Sequence, residues 1–80
     1  MKAKEMFEAL GYEYSYYATQ IWVAKGNQSN ERSFVFDLEE KTCTPTLMEE
    51  INDNEYQPLP IIVEEHIAIT QQMKELGWLE

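Results

Sequence analysis

The run "RSFVFDL", residues 32–38, decides the architecture of this 80-residue chain. Phe34, Phe36 and Leu38 alternate with Val35, so three apolar side chains fall on one face and one on the other. A period of two with aromatic and β-branched residues is the pattern of a strand packed on one side. Upstream, "GNQSN" (26–30) is a turn by composition. "YEYSYYATQIWVAK" (12–25) alternates again and reads as strand, either one bent strand or two joined near Ala18–Gln20. Downstream, "EEK" (39–41) reads as a tight connection to "TCTPT" (42–46), a short edge strand that Pro45 ends or blunts.

Outside this strand region lie two amphipathic stretches. Ala3, Met6, Phe7 and Leu10 recur at i, i+3, i+4 and i+7, which predicts a helix over 3–10. A second helix is predicted over Val63–Leu76, with Ile62, His66, Ile69, Met73 and Leu76 as its apolar stripe. Glu64 and Glu65 open it and Lys74 closes it, as the helix dipole favours. Both helices end in Leu-Gly-aromatic, "EALGY" (8–12) and "KELGW" (74–78). Glycine supplies the left-handed residue that stops a helix, and the ring after it clasps the last turn. Between strands and second helix, "TLMEEINDNEYQPLP" (46–60) carries two prolines and an Asn-Asp-Asn cluster. It reads as loop with one helical turn at Leu47–Ile51. The expected fold is therefore a single α+β domain over residues 1–80: a helix, a three- to four-stranded antiparallel sheet and a helix, with both helices on one face in two layers.

Charge narrows the choice of partners. Residues 1–36 hold four acids (Glu5, Glu8, Glu13, Glu31) and four bases (Lys2, Lys4, Lys25, Arg32), whereas residues 37–80 hold eleven acids against Lys41 and Lys74. The net charge of −9 therefore belongs to the second part of the chain. Such a field repels nucleic acid, which proteins bind by neutralising phosphates, and draws in basic surfaces. Simple solubility is the competing reading. The longest aliphatic run, Ile61-Ile62-Val63, is far short of the ~20 residues that span a bilayer. No apolar run follows the N-terminal lysines and Cys43 is the lone cysteine, so a cytoplasmic protein is expected.

The two ends also carry a likeness. "MFEALGY" (6–12), together with Glu64, Glu65, Ala68, Ile69, Glu75, Leu76, Gly77 and Trp78, resembles the opening and closing helices of small proteins from phages and mobile elements of Gram-positive bacteria. The activities of that group are largely uncharacterised. The resemblance covers about a third of the chain, and it implies a fold and a genomic neighbourhood but no catalytic residue. His66 departs from it, standing where an aliphatic residue is usual.

No constellation in the sequence points to catalysis. His66 on an apolar stripe reads as a partly buried structural histidine, and Cys43 as a small packing residue of a strand. One Cys and one His do not make a zinc site, and no Cys-x-x-Cys or His-x-x-x-His spacing is present. The pairs Glu39-Glu40, Glu49-Glu50 and Glu64-Glu65 diverge on any regular element, so they form no acid/base couple. "NDNE" (52–55) lacks the spacing and glycine of an EF-hand, and three glycines make no phosphate loop. No cofactor, metal or catalytic residue is expected.

What remains is surface. With Ile21, Val23, Phe34 and Phe36 facing the helices, Tyr17, Trp22 and Val35 fall on the uncovered face. Tyr and Trp are the residues most enriched at binding hot spots; core filling and a homodimer are the competing uses. Tyr17, Trp22 and Val35, with the acids Glu39, Glu40, Glu49, Glu50, Asp53 and Glu55, are the candidate partner-binding residues. The expected partner is a basic protein surface, such as that of a nucleic-acid-binding host or defence protein. Its inhibition by a charge mimic would parallel the anti-CRISPR proteins in size, charge and origin alone. A homo-oligomeric scaffold protein is the alternative.

Overall fold

The structure, a computed structural model, describes residues 1–27 and 29–79. Its elements are α1 (Ala3–Ala9), β1 (Glu13–Tyr17), β2 (Gln20–Gly26), β3 (Asn30–Asp37), β4 (Thr42–Asn52), β5 (Glu55–Pro58) and α2 (Val63–Glu75). The strands form one antiparallel meander in the order β1-β2-β3-β4-β5. The class is α+β as expected, with five strands where three or four were predicted. Residues 12–25 are two strands: Ala18, at φ 51°, turns the chain between Tyr17 and Gln20. The turn predicted over 26–30 lies where expected, with Gln28 outside the described residues.

Both helices stop in the same way. After α1, the Gly11 N–H donates to the Glu8 carbonyl and the Tyr12 N–H to that of Phe7. After α2, the Gly77 N–H donates to Lys74 and the Trp78 N–H to Met73. Each set satisfies two orphan carbonyls, and Gly11 and Gly77 take the positive φ this requires (91° and 77°). The aromatic after each glycine turns inward: Tyr12 meets the edge of Phe7, with centroids 5.7 Å apart, and Trp78 lies 6.4 Å from Phe36. At the helix starts, Glu5 and Glu65 accept from the backbone N–H groups of Lys2 and Ile62, half of a capping box in each case.

The core consists of Phe7, Tyr12, Ile21, Val23, Phe34, Phe36 and Ala68, all at most 3% exposed. Strand register explains it: Tyr14, Val23, Phe34 and Pro45 lie in one row across β1 to β4, and Tyr16, Ile21, Phe36 and Cys43 in the next. Phe7 brings α1 against Phe34 and Phe36. Each fully buried Phe contributes about 2–3 kcal/mol of apolar transfer, so three of them dominate a core this small.

Two segments depart from the sequence reading. Residues 42–46 are the first half of an eleven-residue strand, which Pro45 does not end. The Leu47 carbonyl accepts from the Leu59 N–H on the β5 side. Backbone groups two residues apart point the same way, so Pro45 turns its nitrogen to that side too. There β5, which pairs only from Met48 onward, leaves the edge open and no ladder bond is lost. Residues 46–60 hold no helical turn; β4 and β5 form a hairpin closed by Asp53–Asn54, with Asn54 at φ 60°. Asparagine tolerates that conformation.

A further correction concerns α2. Its buried residues are Glu65, Ala68 and Gln72; Ile62 is 44% exposed and His66 is exposed. Ile69, Met73 and Leu76 do pack against the core, as the flank of the buried face. His66 is therefore no partly buried histidine. Glu65 outcompetes it because Arg32 waits on β3 to neutralise it.

Candidate interaction surfaces

The polar cluster behind α2 is the best-defined chemical arrangement of the molecule. Arg32 grips the Glu65 carboxylate with both arms of its fork, Nη2 to Oε1 at 2.5 Å and Nε to Oε2 at 2.8 Å. The Tyr12 hydroxyl donates to the same carboxylate, and Arg32 Nη2 donates to the Pro60 carbonyl at 2.8 Å. Burial alone would raise the Glu65 pKa; the bonds from Arg32, Tyr12 and the Ile62 N–H outweigh it and hold the carboxyl below its ordinary range. Burial and the neighbouring Glu65 carboxylate push the Tyr12 phenol up to about 12. Lys25 sits 4.6 Å over the Tyr12 ring and donates to the Leu10 carbonyl. Every member already has its partners, which makes the cluster a clamp between β3 and α2 rather than a ligand site.

Cys43 and His66 stand in different settings. Cys43, paired with Phe36, packs at the margin of the core, and burial pushes its thiol up to about 11, away from nucleophilic use. His66 lines a shallow hollow with Ile67, Thr70, Gln71 and Lys74, and Cys43 is not among them. Among the described residues, no three His, Cys, Asp or Glu side chains gather as metal ligands would. Among the described residues, no helix is long and apolar enough to cross a membrane.

The candidate partner-binding residues fall into two groups. Trp22 pairs with Val35 and Ser15, and Tyr17 with Gln20, which pairs with Asp37. These side chains share the sheet face opposite Phe34 and Phe36. Trp22 is 41% and Tyr17 60% exposed, and their rings meet edge to face at 6.1 Å. Glu39 and Glu40 sit in the turn that follows Asp37, at the same end, and their backbone N–H groups donate to Asp37 Oδ1 at 3.0 and 2.9 Å. The second group occupies the far hairpin: Glu49 opposite Gln57, Glu50 opposite Tyr56, Asp53 in the turn and Glu55 at the start of β5. Met48, Ile51 and Tyr56 are exposed beside them.

The two acidic groups flank opposite ends of β4, whose eleven residues cover about 33 Å at ~3.3 Å per residue. A Debye length is about 8 Å at physiological salt, so the groups act as two separate negative surfaces. The sequence reading missed Gln20 and Asp37, which complete the first. Asp37 had a visible signal, an acid ending a strand just before a tight turn, where its side chain caps the backbone. Gln20 becomes relevant only through the register that sets it against Asp37.

Comparison with protein-family models, with curated proteins and with solved structures finds no match for this chain.

Proposed function

We propose that this is a non-enzymatic interaction protein of a phage or mobile element, acting in the cytoplasm by docking on a basic protein surface. In this reading the helices form one layer and the sheet a second, which leaves Tyr17, Trp22 and Val35 free on the outer face. The observation that carries it is the exposure of the Trp22–Tyr17 pair beside the acidic turn Asp37–Glu40. Exposed aromatic anchors supply affinity, and flanking carboxylates speed and orient the encounter with cations. A surface that serves a nucleic-acid-binding host or defence protein carries the complementary charge, and blocking it would make this chain an inhibitor.

The test is affinity capture from a bacterial host lysate at about 0.1 and 1 M salt, where the Debye length falls from about 10 to about 3 Å. The bait is the parent protein or a Tyr17→Thr/Trp22→Thr variant. A basic protein held at low salt by the parent, and lost both at high salt and with the variant, is the expected outcome. Identical captures by both baits would overturn the reading. One observation favours a homo-oligomeric scaffold instead: β1 and β5 both leave a sheet edge unpaired. Light scattering separates the two, since the scaffold requires a dimer or larger.

A further inference from the structure

The corner where Tyr17, Gln20, Trp22 and Asp37 meet is more specific than a sticky face. Tyr17, Gln20, Asp37 and Thr42 form one row across β1 to β4, and Ser15, Trp22, Val35 and Thr44 form the next. Trp22 therefore lies diagonal to both Tyr17 and Asp37, one row in. The indole Nε1 donates to Gln20 Oε1 at 2.9 Å, and Gln20 Nε2 points at Asp37 Oδ2 at 3.4 Å. Gln20 thus ties the ring to the carboxylate row and fixes the indole before anything binds. Its hollow is walled by Tyr17, Gln20 and Trp22. Beyond it, Asp37 Oδ1 is used by the turn, while Oδ2 has, among the described residues, only the long contact with Gln20.

We infer that this corner reads an arginine side chain of the partner, its guanidinium plane lying on the Trp22 indole against Tyr17 and its fork reaching the Asp37 carboxylate. The inference rests on the reading of the uncovered face as a docking surface and names the group recognised there. Charge complementarity carries it: Asp37 shares the row of Tyr17 and Gln20, Glu39 and Glu40 lie in the turn that follows it, and Lys41 is the one base of that turn. A cation within ~6 Å of an indole centroid is attracted by the ring face, and Arg is the commoner partner because its plane stacks while its N–H groups still bond a carboxylate. Lysine offers a point charge without that plane. A neutral apolar side chain would leave the carboxylates unanswered.

Two indoles make the test internal. Trp22 reports on the corner, and Trp78, 6.4 Å from Phe36 in the core, reports on the rest of the fold. The full chain, labelled with nitrogen-15, is titrated with three capped tripeptides: Gly-Arg-Gly, Gly-Lys-Gly and Gly-citrulline-Gly, the last matching arginine in shape without its charge. The arginine peptide is expected to shift the Trp22 indole N–H saturably with Kd in the range of about 1–10 mM, leaving Trp78 still. The lysine peptide should bind more weakly and the citrulline peptide should not bind. Asp37→Asn keeps an acceptor for the turn N–H groups and removes the charge; it should weaken the arginine peptide about three- to tenfold. No shift, equal shifts of both indoles, or equal binding of the lysine or citrulline peptide would overturn the arginine assignment. If the peptides fail while lysate capture still depends on Tyr17 and Trp22, the assignment alone falls and the docking surface stands.

Discussion

Both faces of the sheet are aromatic, and only one of them is a core. On one face Phe34 and Phe36 are wholly buried. Of the tyrosines there, Tyr12 is buried and Tyr14 half-buried where α2 carries acceptors to them, Glu65 to Tyr12 and Gln72 to Tyr14 at 2.5 Å, whereas Tyr16, with no such partner from α2, is 68% exposed. No buried side-chain nitrogen or oxygen among the described residues lacks a partner. On the opposite face Trp22 finds its acceptor within its own strand and Tyr17 stays largely in solvent. A ring with a hydroxyl enters a core where a helix supplies a partner, and otherwise stays at the surface, free to bind.

The comparison is broken most severely through Glu65, 1% exposed and gripped by Arg32. Glu65→Ala leaves the guanidinium without its partner and should cost about 3 kcal/mol or more, a large part of the 5–15 kcal/mol available to a domain. Urea melts read it; a loss below ~1 kcal/mol would mean that the clamp does not hold α2 to the sheet. The same group sets a pH dependence. Its folded pKa is depressed, so the stability it adds is complete above the unfolded value of about 4.3 and is lost as pH falls through the folded value. Urea midpoints should be level from about pH 7 to 5 and decline below it. Glu65→Gln should remove part of that decline; Asp37, also depressed, accounts for some of the remainder. An unchanged acid slope in the variant would remove Glu65 as its source.

A milder break lies about two helical turns along. Tyr14→Phe keeps the ring and strands the buried Gln72 amide, at a cost of about 1 kcal/mol by the same melts. A neutral result would mean that water replaces the hydroxyl. Gly77→Ala should cost a similar ~1 kcal/mol, since no atom crowds the new methyl and only the positive φ opposes it.

The sequence carried what is local. Both glycine stops, the alternation of "RSFVFDL" and the placement of Tyr17, Trp22 and Val35 on the face opposite Phe34 and Phe36 follow from neighbours a few residues apart. It failed where distant residues decide. Glu65 and Gln72 look like the outer face of α2 until Arg32 and Tyr14, 33 and 58 residues away, are brought against them. Arg32 was the available clue, the one arginine of the chain, leading into the strand of Phe34 and Phe36. The β4–β5 hairpin was hidden for another reason. Leu47-Met48 and Glu49-Glu50 pair like residues side by side, which erases the period of two. That hairpin is exposed along β5 on both sides, so neither face imposes an alternation.

The smallest expected effect is the most telling for the face of Tyr17 and Trp22. Tyr17→Thr/Trp22→Thr removes two large rings from β1 and β2 and keeps β-branched residues there, so strand preference is retained. If the face is a surface in the free protein, the lost ring-to-ring contact is worth about 0.5–1 kcal/mol, against about 3–5 kcal/mol for Phe34→Ala on the opposite face of the next strand. Melts of the two variants side by side measure the ratio directly. A double variant as damaged as Phe34→Ala would mean that the rings of the outer face are structural, and the docking reading would lose its footing. A double variant that melts like the parent while losing its basic partner would separate folding from recognition across one thickness of sheet.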